Sequence, residues 1–163
     1  MKKYLVILCL CLVGCATTST QGPPVIPVGC ETSIIYTKMP GFLPNGPMIT
    51  RVGVSTALAV LLVSDPAAGR SAQLMVATVM PMLYRATLTN NLALVMAEVK
   101  NKFGASSKYV AIATPLFVLF DSLNQAGQLQ TGGLTLTDCD KNVLASLFKN
   151  IGLDSGTDPA MFQ

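Results

Sequence analysis

Apolar positions along this chain recur mostly at the three- and four-residue spacing of helices, and turn residues cut them into blocks. The first block is a short apolar run, residues 4–13, directly behind Lys2 and Lys3. Residues 16–29 then carry Thr, Ser and three prolines without any apolar period. Proline fixes φ and removes backbone donors, so this stretch predicts an extended tether, reaching roughly 40 Å at ~3.1 Å per residue. Residues 33–37, Ser-Ile-Ile-Tyr-Thr, are β-branched and aromatic, Pro44-Asn45-Gly46-Pro47 is a turn signal, and residues 48–52 can return as a second strand. Together they predict a small β-hairpin near the N-terminus. Residues 128–135, around Gly132 and Gly133, read as a loop or a second small hairpin.

The remaining blocks predict helices. Residues 54–63 are apolar with good helix formers. Asp65-Pro66 supplies an N-cap and a first-turn proline for a helix through Met80. Pro81 predicts a kink or break, with a second half continuing to Phe103 and stopping at Gly104. Ser106 or Ser107 can cap a helix over 108–124, which contains Pro115. Thr137 and Asp140 resemble a capping box opening a helix over 138–151, with Gly152 as its stop. In that helix Cys139, Val143, Leu147 and Ile151 recur every four residues, with Leu144 and Phe148 beside them, so Cys139 shares the core-facing side. The tail, 154–163, has Gly, Pro and acids and is expected to be loose. The fold class is mainly α: a compact bundle of about four to five helices, two of them Pro-kinked, with the small hairpin and one disulfide. No internal repeat is visible at a 20–50-residue period.

The N-terminal block has a more specific reading. Its apolar run is about half the ~20 residues a spanning helix needs. It ends in Leu12-Val13-Gly14-Cys15. A basic start, an apolar run and small residues before a cleavage point make a secretory signal peptide. The Cys after Gly14 makes the tetrapeptide resemble the lipobox of bacterial lipoproteins. The resemblance covers only the first 20 or so residues. It implies that residues 1–14 are removed and that Cys15 is acylated and becomes the mature N-terminus. Ala16, rather than an Asp, points to the periplasmic face of the outer membrane. The chain then divides into a signal peptide (1–14), an acylated Cys with its tether (15–29), a helical domain (30–153) and a tail (154–163).

This reading changes the composition. The whole chain has 11 Lys+Arg and 8 Asp+Glu, for a net charge of +3. Lys2 and Lys3 leave with the signal, so the mature chain is nearly neutral and offers no electrostatic footprint for nucleic acid. Charged residues are 12% of the chain, about half the usual share, so either the core is large or apolar surface meets a lipid or protein partner. Of the five Cys, Cys9 and Cys11 leave and Cys15 is acylated. Cys30 and Cys139 remain, an even pair in an exported protein, and a disulfide between them is expected. Two buried thiols or an intermolecular bridge are the alternatives. The bond would close a loop of about 110 residues, for which the chain-entropy model gives an upper figure of roughly 4–5 kcal/mol.

Little catalytic chemistry is legible. The chain has no His, which removes Ser-His-Asp and Cys-His catalysis and imidazole ligation, and no Trp for a sugar platform. One Cys pair does not make a zinc site, and P-loop, dinucleotide and CxxC motifs are missing. Ser107 and Lys108 are adjacent and would point to different helix faces, against a Ser–Lys dyad. Glu98 and Asp121 are a candidate carboxylate pair, with Glu98–Lys102 at i, i+4 as the plainer account. Arg85 extends an apolar stripe through Leu88, Leu92, Val95 and Val99. A buried Arg needs a partner, either an anionic headgroup or an acid such as Asp65 or Asp121; otherwise it snorkels from the Pro81 kink. Met75, Met80, Met82 and Met96 either fill the core or line an adaptable apolar pocket. Arg85, Met75, Met82 and Met96 are therefore the candidate ligand or partner contacts.

These readings point away from an enzyme and require no cofactor or metal. They predict a membrane-anchored periplasmic lipoprotein acting by contact, a structural or accessory module of a cell-envelope assembly. Its expected partners are the membrane, through the N-terminal lipid, and another envelope protein. The alternatives are a lipoprotein that binds a lipid or other apolar ligand, and a membrane-active or exclusion lipoprotein of the kind encoded by phages and prophages.

Overall fold

The computed structural model describes residues 25–104, 107–126 and 134–163. The signal segment, Cys15, most of the tether and residues 127–133 lie outside the described residues. Among the described residues six helices follow in order: α1 (Ile34–Thr37), α2 (Gly46–Ser64), α3 (Pro66–Leu88), α4 (Leu92–Gly104), α5 (Val110–Gln125) and α6 (Asp138–Asp154). Short 3-10 turns cover Ser107–Tyr109 and Pro159–Phe162. The protein is mainly α, as the hydrophobic spacing predicts. Antiparallel α3 and α6 make the most extensive pairing, α2 lies against α3, α5 and α6, and α4 bridges α3 and α5. Phe103, Phe120, Phe148, Met80, Leu83 and Leu116 are among the fully buried side chains of one continuous core.

The predicted hairpin is not there; no strand occurs among the described residues. Its first strand, 33–37, is the single turn α1, with Ile34 and Ile35 buried. The free N–H groups of a helix start need acceptors, and the Asp140 carboxylate takes those of Ile35 (3.2 Å) and Ile34 (3.4 Å). Its second strand, 48–52, is the start of α2. Pro47 sits in the first helical turn, where its missing N–H costs nothing, so the Asn-Gly-Pro turn signal is in fact a helix entry.

Asp65 caps α3 as predicted, accepting from the Ala68 amide at 3.1 Å, with Pro66 in the first turn. Pro81, however, neither ends nor splits the helix; it is a buried residue inside it. An interior proline costs about 3 kcal/mol. Ten buried residues along α3 offset that by packing on the rest of the core. Pro115 likewise lies inside α5. The break between α3 and α4 falls instead at Asn90, whose φ is +58°. The Asn91 amide reaches back to the Ala86 carbonyl at 2.9 Å, a Schellman closure with Asn where Gly is usual.

α6 opens with the predicted capping box of Thr137 and Asp140. It runs past Gly152 and closes at Gly156, φ +82°, with the Thr157 amide bonded to the Gly152 carbonyl at 2.9 Å. Gly152 serves packing instead. A Cβ there would meet Phe162 and would lie 3.1 Å from the Met80 Cβ. The tail after α6, expected to be loose, is therefore packed. Phe162 is buried and meets Tyr84 edge-on at 5.5 Å, and Gln73 donates to the Ser155 carbonyl at 3.2 Å.

Candidate functional site

Two places in the fold depart from the usual rule of polar outside and apolar inside. The first is the corner where α1 meets the start of α6. Cys30 and Cys139 are disulfide-bonded, with Cα atoms 5.7 Å apart and 109 residues between them in sequence. The predicted pairing stands, although only Cys30 is buried; Cys139 is half-exposed at the edge of the α6 stripe. One residue further along α6, Asp140 is fully buried. Its carboxylate accepts from Ser33 Oγ at 2.6 Å, Thr137 Oγ1 at 2.7 Å and the Thr137 amide at 3.0 Å, besides the two α1 amides. Charge-assisted bonds to a carboxylate are the stronger kind, and five of them replace the lost hydration. The capping box and the disulfide thus converge on one corner and clamp the N-terminal entry of the domain to α6. The tether enters the domain beside this clamp.

The second place is the outer face of α2. This helix is long and apolar enough, by length and composition, to cross a membrane, yet only 17% of its apolar window is buried. Thr50, Val54 and Leu58 face the core. Gly53 lies against α5, where an added Cβ would sit 2.8 Å from Pro115 Cγ, so α2 is seated closely on that side. The opposite side carries Met48, Ile49, Val52, Val60 and Val63, each more than half exposed and Val63 85% exposed. Thr56 and Ala59 lie between them and are exposed as well. At 100° per residue these seven positions fall within an arc of about 120°. None is charged. Isolated exposed apolar residues need no explanation, but a continuous strip along a whole helix is a candidate contact surface.

At one end this strip borders an open groove of about 490 Å³ between the chain preceding α2 and α6. Leu43, Pro44 and Met48 form one wall, Val143 and Ser146 the other. Arg51, also on the rim, is held by Asp154 through two bonds, Nε–Oδ2 at 2.5 Å and Nη2–Oδ1 at 2.7 Å. That hydrogen bonding holds the Asp154 carboxyl below its ordinary range and raises the Arg51 guanidinium. Asp65 is also lowered, first by the Ala68 amide and then by Lys108, whose Nζ is 3.6 Å away.

The residues singled out as contacts on sequence are not brought together. Arg85 is exposed rather than part of a buried stripe, and its guanidinium donates to the Met161 carbonyl at 3.3 Å. The stripe itself crosses the break at Asn90, which explains why its period did not describe one surface. Met96 and Met80 are core side chains, while Met75 and Met82 are half-buried on α3. None of them lines the groove. Glu98 pairs with Lys102 at 2.9 Å and Asp121 with Lys100, so the two carboxylates serve separate lysines. Lys108 faces Asp65. No cluster of three or more Cys, Asp or Glu side chains suited to a metal occurs among the described residues. The α2 face was the missed feature. Its signal was the apolar block 54–63, which holds more apolar side chains than one core-facing side can bury.

No family model, curated protein or solved structure matches this chain.

Proposed function

We propose that this chain is a lipid-anchored protein of the bacterial cell envelope, held through Cys15 at the periplasmic face of the outer membrane and acting by contact as a structural or accessory module. The observation that carries the contact reading is the uncharged, exposed face of α2. The lipobox supports the location, and the clamp at Cys30, Cys139 and Asp140 suits a domain held from its N-terminal side. Metabolic labelling with palmitate tests the anchor. Wild-type protein takes up label and fractionates with the outer membrane, and Cys15→Ser loses both; unlabelled wild-type protein overturns the anchor.

A second reading, an apolar-ligand carrier, is favoured by the groove between Leu43, Met48 and Val143. Native mass spectrometry separates the two: a bound lipid supports the carrier, and a bare chain argues against it.

A further inference from the structure

The disulfide that closes the clamp has a competitor within the chain. Cys30 stands 109 positions from Cys139 and 15 from Cys15. The entropy cost of closing a loop rises with its length, so an unfolded chain brings Cys15 to Cys30 roughly 20 times more readily than Cys139. Pro23, Pro24 and Pro27 stiffen the shorter loop and reduce that advantage. Order of appearance adds to it, because a chain exported behind its N-terminal signal presents Cys15 and Cys30 to the oxidising compartment before Cys139. The two bridges exclude one another. They share the Cys30 sulfur, and in the fold that corner is closed: Cys30 is 7% exposed, and Ser33 and Ile35, which donate to Asp140, are fully buried. A Cys15 bridge puts a second stretch of backbone where α1 must seat on α6.

We propose that lipid attachment at Cys15 guards the pairing of Cys30 with Cys139, and that it must precede oxidation of the chain. The inference rests on the reading of Cys15 as the anchor and adds to it an order of reactions. Attachment forms an S–C bond to a lipid donor, and the thiol proton and the donor's leaving group depart. Oxidation turns two thiols into one disulfide, and the two electrons and two protons pass to a disulfide-type oxidant of the compartment. Both reactions consume the Cys15 thiol. Once the lipid has taken it and Cys9 and Cys11 have left with the signal, Cys30 and Cys139 are the one pair remaining. Once oxidation has taken it, the chain has no thiol to receive the lipid, and Cys139 stays free with the clamp open. The fold completes the selection after the competitor is gone. Asp140 seats α1 on α6, with the Cα atoms of Cys30 and Cys139 5.7 Å apart.

Peptide mapping of the full-length, unreduced protein tests this. Trypsin cuts after Lys3, Lys38, Lys108 and Lys141, so Cys15 and Cys30 stay in one peptide, 4–38, and Cys139 lies in another, 109–141. The native bond joins the two peptides. A bridge from Cys15 to Cys30 leaves them apart, with Cys139 open to a thiol tag. The chain is made in cells depleted of the activity that attaches the lipid, with Cys15 intact or as Cys15→Ser. Neither form is then anchored, and Cys9→Ala and Cys11→Ala in both remove other partners. The order of reactions predicts roughly fivefold or more tagged Cys139 in the chain that keeps the Cys15 thiol, and joined peptides in Cys15→Ser. Peptides joined equally in both overturn the guarding role. Palmitate labelling in undepleted cells keeps the anchor separate. Unlabelled chains with Cys139 tagged lose the anchor and keep the competition for Cys30; unlabelled chains with the peptides joined overturn both.

Discussion

Asp140 and Val63 are placed in opposite violation of the same rule. Asp140 is a carboxylate with no exposure, and Val63 is an aliphatic side chain that is 85% exposed. The first is satisfied from within the chain, by two hydroxyls and three amides drawn from α1 and the start of α6. Among the described residues, nothing covers the second. A buried polar group that finds all its partners specifies a fold, whereas an apolar strip that finds none specifies an encounter. The comparison separates what holds this domain together from what it presents.

Changes at the clamp should therefore break the fold and leave the face intact. Asp140→Ala strands Ser33, Thr137 and two α1 amides without their acceptor. The expected loss is about 4 kcal/mol, read from chemical denaturation, and Asp140→Asn should lose less. Replacing Cys30 and Cys139 with Ser should cost roughly 3 kcal/mol, because the unfolded chain regains the freedom of a long loop. A denaturation midpoint equal to wild type would show that the disulfide adds nothing beyond the Asp140 network.

Changes on the face should do the reverse. Val60→Asp should leave stability within about 0.5 kcal/mol of wild type, since the position is on the surface, while abolishing the protein contact proposed for this face, read as lost cross-linking from the neighbouring position Val63. Loss of folding instead would mean that this side of α2 is part of the core.

The smallest effect is expected at the edge between the two regions. Arg51 depresses the Asp154 pKa, so the stabilisation is present above the unfolded value, about 3.9, and is lost as pH falls through the lower folded value. Both side chains are partly exposed and solvent-screened, which limits the contribution to under about 1 kcal/mol. The urea midpoint should drop as the pH falls below about 4, and Asp154→Asn should flatten that drop.

Much of this architecture was legible in the residues. Asp65-Pro66, the Thr137–Asp140 box and the Cys30–Cys139 pairing each rest on local or covalent chemistry that acts wherever the residues stand. The errors arose where distant packing decided. Ile34 and Ile35 have strand preference, but a carboxylate 105 residues away fixes their amides in a helical turn. Pro81 is a helix breaker in isolation and is carried through α3 by its buried neighbours. The tail looked loose because nothing local orders it; Phe162 is ordered by the gap at Gly152. The α2 face was hidden for the same reason. The sequence shows that block 54–63 is apolar, but only the fold shows which side the other helices leave open.

The most direct test places a photo-activated cross-linking residue at Val60 in the full-length, membrane-anchored protein, with Leu74, another well-exposed apolar position, on α3, as the reference. The expected result is a protein adduct from Val60 that exceeds the yield from Leu74 severalfold. Equal yields from the two positions, or no protein adduct from Val60, would contradict the claim that the α2 face is where this domain makes its contact.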